Sequence, residues 1–109
     1  MTDTDNEKWL LETSNSIIAT CANGDDTNLA PADRLIYCLW IADYGMRNAG
    51  DLTAAADLAE TFHTDGRFIS AELGLPRTTE LFLLDTKEFE RGYFDVFDDV
   101  CNELRGARH

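Results

Sequence analysis

PADRLIYCLWIADYGMRN, residues 31–48, decides the fold of this chain. A proline opens it, and the fixed φ and missing N–H of proline suit the first turn of a helix. Between Leu35 and Met46 apolar side chains take up most of the helical circumference, leaving Asp33, Asp43 and Arg47 as one polar stripe. A helix that is apolar on nearly all sides is one that other elements cover from several directions. Just past its end, Gly50 can take the left-handed conformation that closes a helix. The stretch therefore reads as the central helix, roughly residues 31–49, of an all-α protein. Asp43 and Arg47 stand four apart in acid-before-base order, and a local ion pair worth roughly 0.2–0.5 kcal/mol accounts for both.

Working outward, the neighbouring segments also read as helices. Trp9, Thr13, Ile17 and Cys21 recur every fourth residue, with Leu10 and Ile18 widening the stripe, and predict a first helix from about Asp5 to Ala22. The polar run from Gly24 to Asn28 then forms a loop. After the central helix, Asp51 can cap an alanine-rich helix from Leu52 to Phe62 or His63, whose inner face carries Leu52, Ala55, Ala56, Ala59 and Phe62. A short helix from Asp65 to Glu72 is ended by Gly74 and Pro76, with a loop from Leu75 to Thr78. Residues 79–84 form an apolar run that suits a short strand or irregular segment as well as a helical turn.

The last helix has the clearest direction. Asp85 followed by Glu88 is a capping-box pattern with Asp as the first residue. At about 100° per residue, Phe89, Tyr93, Val96, Phe97, Val100, Cys101 and Leu104 share one face, and Glu88, Asp95, Asp98, Asp99 and Glu103 share the other. These five carboxylates are the candidate partner-binding residues. Gly92 lies among them, on the outer face. The expectation is one domain, residues 1–109, of about five helices around the central one.

Composition narrows the function classes. The chain has 109 residues, 44% of them apolar, enough for one core, and 21 acidic against 9 basic side chains give it a formal charge of −12. No apolar run approaches the ~20 residues that cross a bilayer, and the acidic stretch from Met1 to Lys8 lacks the basic and apolar parts of a signal peptide. A cytoplasmic protein with no membrane contact is expected. Cys21, Cys38 and Cys101 are odd in number, widely spaced and set in apolar stretches, so they read as small buried hydrophobes. With only His63 and His109 besides, no metal site is assigned.

Catalysis finds no constellation to rest on. His63 reads as a helix-end residue, and Ser14, Ser16 and Ser70 lie in helical patterns outside any nucleophile turn. No glycine-rich phosphate loop occurs, and no cofactor is expected. The chain is read as a protein without enzymatic activity. Direct binding to nucleic acid fails on charge, because affinity for phosphates needs clustered Lys and Arg. The reverse reading fits better: an acidic face that looks like DNA to the basic surface of a DNA-binding protein.

Leu29-Ala-Pro-Ala-Asp-Arg-Leu-Ile-Tyr37, followed by Tyr44-Gly-Met-Arg-Asn-Ala-Gly50, resembles the opening of a DNA-mimic-type helical domain family of bacteria, a domain of unknown function. In that family a proline-started helix carries an aromatic residue and ends in Asn-Gly-Gly-Phe. Asn48 and Gly50 match, whereas Ala49 replaces a glycine and Asp51-Leu52 stand where the aromatic would be. The resemblance implies an all-helical, non-enzymatic acidic protein that occupies the DNA-binding surface of a regulator or nucleoid protein. The alternative is an immunity or antitoxin-like protein that neutralises one enzyme by charge complementarity. Either is compatible with a monomer, or with a homodimer built on exposed parts of Trp9, Trp40 or Phe82.

Overall fold

The computed structural model describes residues 3–22, 30–53 and 62–107, and among them it contains five helices and no strand. They are α1 (Asp3–Ala22), α2 (Pro31–Ala49), α3 (Phe62–Leu73), α4 (Pro76–Leu83) and α5 (Thr86–Ala107). The protein is all-α, as the sequence predicts.

Helix α2 is the hub. Pro31 occupies its first turn, Gly50 closes it at φ +75°, and the Gly50 N–H donates to the Met46 carbonyl at 3.0 Å. It packs against α1, α3 and α5, and Leu35, Ile36, Leu39, Ile41 and Ala42 are almost wholly buried. A helix with apolar residues on nearly every side has found cover on nearly every side.

Helix α5 supplies the other half of the core. The Asp85 carboxylate accepts the Glu88 N–H at 2.9 Å, so the predicted cap is in place. Phe89, Tyr93, Phe97, Val100, Cys101 and Leu104 all face inward and are fully buried. Phe82, Phe89, Tyr93 and Phe97 form a ladder of rings, each centroid 5.7 Å from the next. Such spacing suits aromatic pairs and fixes the orientation of α4 on α5.

Four expectations are corrected. Pro76 does not end a helix; it starts α4, and residues 79–83 are helical, so no strand forms near 79–84. Pro after Gly reads equally as a stop and as a first-turn residue, and the partner that satisfies the start of α4 comes from a distant helix, described below. Phe62 and His63 begin α3, rather than ending a helix. His63 therefore caps no C-terminus and packs its ring among Phe62, Phe82 and Phe89, at 5.5–6.1 Å between centroids. The inward stripe of α1 keeps its predicted direction through Leu10, Thr13 and Ile17, with Trp9 and Ile18 half-buried, and Asn6 and Ser14 join it. Burying Asn6 is possible because α5 pairs its amide.

The loop expected at residues 24–28 and most of the predicted alanine-rich helix, at 54–61, lie outside the described residues, as does the Cys21 side chain. Asp51 does accept the Thr53 N–H at 3.0 Å, as a capping residue would. Cys38 and Cys101 are buried, and burial pushes the Cys38 thiol up to about 12, which leaves it protonated and inert.

Helices α3 and α4 pack closely where Gly66 meets Phe82. A Cβ at residue 66 would stand 2.6 Å from the Phe82 ring, so no other residue fits without movement. Gly74, at φ +71°, ends α3 and turns the chain into α4.

Candidate functional site

The five candidate carboxylates of α5 separate into two groups according to the angle at which they leave the helix. Glu88, Asp95 and Asp99 lie along its outer centre line and are exposed. Asp98 and Glu103 lie on the two flanks, are half-buried, and each holds a neighbouring helix. Asp98 accepts the amide of Asn6 on α1 at 2.7 Å. The same Asn6 accepts from Arg105 at 2.9 Å, and Arg105 stacks over the Trp9 ring at 5.4 Å.

Glu103 serves α4. Its carboxylate accepts the backbone N–H groups of Arg77 and Thr78 and the Thr78 hydroxyl, at 2.8–2.9 Å. The first turn of a helix has unsatisfied N–H groups and a positive dipole end, so a carboxylate delivered from another helix answers both. A third flanking carboxylate, Glu90, accepts the Leu52 N–H at 2.8 Å. Sequence reading did not single out Glu90, whose partner lies 38 residues away and leaves no local signal.

Beside this face lies a second cluster. Asp43 and Arg47 form the predicted pair, with Arg47 Nε at 2.9 and 3.1 Å from the two carboxylate oxygens. They are not an isolated surface pair, however: Asp43 is buried and also accepts the Tyr93 hydroxyl at 2.6 Å. Arg47 further reaches Glu7 at 3.4 Å and lies over the rings of Phe94 and Phe97, at 5.1 and 4.9 Å. Burial pushes the Asp43 carboxyl up, against the opposing pull of its hydrogen bond from Tyr93 and the charge of Arg47. Tyr93 is held well above the usual phenol range, chiefly by burial and then by the Asp43 charge.

Around Arg47 the surface is aromatic. Tyr37, Trp40 and Tyr44 follow one another along α2, with ring centroids 5.9 and 5.8 Å apart. Leu11, Tyr44 and Phe94, from three different helices, are 53%, 43% and 46% exposed. A depression of about 240 Å³ opens between Glu7, Leu11, Trp40, Tyr44 and Arg47.

A larger cleft, of about 620 Å³, lies between Trp9, Pro31, Asp33, Leu73 and Arg105. Among the described residues no group of three His, Cys, Asp or Glu side chains is placed to hold a metal ion, and no helix is long and apolar enough to cross a membrane. Comparison with protein-family models, curated proteins and solved structures finds no match for the chain.

Proposed function

We propose that this chain is an acidic helical interaction module that offers the outer face of α5 to the basic surface of a DNA-binding protein, as a DNA mimic. The observation that carries the reading is the exposed file Glu88, Asp95 and Asp99, flanked by Asp98 and Glu103. At 1.5 Å per residue the file from Glu88 to Glu103 runs about 22 Å. A duplex of that length carries roughly 13 phosphates, about half of them on one side. With the exposed Arg91 set on the same face, the five carboxylates leave a net of about four negative charges against roughly six or seven. Asp98 and Glu103 stay half-exposed while accepting their hydrogen bonds, so their structural duty does not take them off this face.

The alternative, neutralisation of one enzyme, uses the same carboxylates and is favoured by the exposed Leu11, Tyr44 and Phe94 beside them. Competition separates the two readings. The chain is used to capture its partner from lysate at low salt, and duplex DNA is then added to the isolated complex. A mimic is displaced by DNA, and its binding weakens steeply as salt rises toward 0.5 M. A complex that resists DNA but not salt supports neutralisation instead; one that resists both overturns the acidic reading.

A further inference from the structure

Resting on that reading, we infer that the aromatic surface beside α5 is the specificity-giving half of the interface, and that it takes a basic amphipathic helix whose apolar side chains enter between Leu11 and Tyr44. Three observations converge on it. The surface has the composition of a binding hot spot, with Trp40, Tyr44 and Phe94 around an arginine. Its arginine is already held by Asp43, Glu7 and two rings, so it is rigid before a partner arrives. A surface fixed in advance loses little freedom on binding.

The third observation is continuity. Phe94 immediately precedes Asp95 on α5, and Asn6, next to Glu7, carries the hydrogen bond to Asp98. The apolar depression and the carboxylate file therefore share an edge, and one partner element can cover both. That element must be apolar where it meets Leu11, Trp40 and Tyr44 and cationic where it meets Glu7, Asp95 and Asp99. A basic amphipathic helix satisfies both conditions through its 3.6-residue period. A second copy of the chain does not, because two molecules each at −12 repel.

The exposed Phe68 of α3 gives an internal control, since it is more exposed than Leu11, at 64% against 53%, and has no place in the surface. Two synthetic helices of roughly 14 residues, about four turns, serve as probes. One carries Leu and Lys on opposite faces, and the other carries Ser in place of each Leu at equal charge. Fluorescence anisotropy of labelled peptide measures affinity at low and physiological salt. The Leu/Lys helix is expected to bind at least about tenfold more tightly than the Ser/Lys helix, since each buried leucine is worth a factor of that order.

Leu11→Ala and Tyr44→Ala should each erase most of that difference while leaving the Ser/Lys affinity unchanged; Phe68→Ala should change neither. Thermal melts of all three variants should stay near the parent, because the side chains are exposed. Equal affinity of the two helices overturns the proposal and leaves the acidic reading standing. Failure of both helices to bind at low salt removes the acidic reading as well. Sedimentation that shows a dimer lost on Tyr44→Ala assigns the surface to a second copy and overturns the proposal in that way.

Discussion

Gly66 and Gly92 are both helical glycines, yet the same added methyl group should move stability in opposite directions at the two sites. Alanine in a helix interior gains about 1 kcal/mol over glycine, and at Gly92, where a Cβ meets nothing within 4 Å, that gain should appear in a urea melt. At Gly66 the Cβ would press on the buried ring of Phe82 at 2.6 Å. Overpacking of this kind costs roughly 1–3 kcal/mol, so Gly66→Ala should be net destabilising, and a stabilised variant would show that α3 and α4 sit further apart than described. At Asp43 the relevant variable is pH. Its carboxyl is raised in the folded protein, so between the ordinary carboxylate range and its raised value the folded state holds a proton that the unfolded chain has released. Its contribution is thus fully present at acid pH and is lost as pH rises through the raised value. Melts from acid to neutral pH should show the parent losing ground against Asp43→Asn, with the difference levelling off above that window; a difference that grows in the parent's favour would mean that Arg47 and Tyr93 outweigh burial.

Among the elements, α5 does two jobs with one kind of side chain, and mutation should separate them. Glu103→Ala removes the acceptor of three hydrogen bonds at the start of α4 and should cost about 1–3 kcal/mol, because the N–H groups of Arg77 and Thr78 are left unpaired. Glu88→Gln, Asp95→Asn and Asp99→Asn together should leave the melt within about 0.5 kcal/mol of the parent or slightly raise it, because like charges at i,i+4 repel. The triple variant should lose affinity for the captured partner; if it binds equally well, the outer face serves solubility alone. This division also marks how far the sequence could be read. Pro31, Gly50 and the Asp85–Glu88 box are local signals, and each lies where its backbone chemistry requires. The inner face of α5 was legible for the same reason, as a repeat within one helix. Pro76 was ambiguous because its meaning depends on Glu103, 27 residues on. Nothing near Asn6 signals its burial, because the groups that permit it, Asp98 and Arg105, stand 92 and 99 residues on. In the candidate surface, the pairing of Asp43 with Arg47 follows from spacing, whereas Tyr93, Glu7 and Phe94 join it only through the packing of three helices.

For the whole molecule, charge sets a response that runs against the behaviour of the proposed complex. A net −12 on a body measuring 35 × 29 × 26 Å repels itself, and added salt screens that repulsion. The midpoint of thermal unfolding should rise between low salt and ~0.5 M sodium chloride, over the same range in which partner binding weakens. A midpoint that falls instead would assign the net stabilising role to the ion pairs around Arg47. The close seat of Phe82 against Gly66 has a consequence in time as well as in energy. That ring is 1% exposed and also abuts Phe89 edge-on, so it can turn over only when α3 and α4 draw apart. Close-packed interiors open in this way through collective motions of microseconds to milliseconds, far slower than the rotation of an exposed ring. The two edges of Phe82 should therefore give distinct nuclear resonances that merge on warming, while those of Phe68 remain averaged, and the merging temperature times the breathing of the α3–α4 pair.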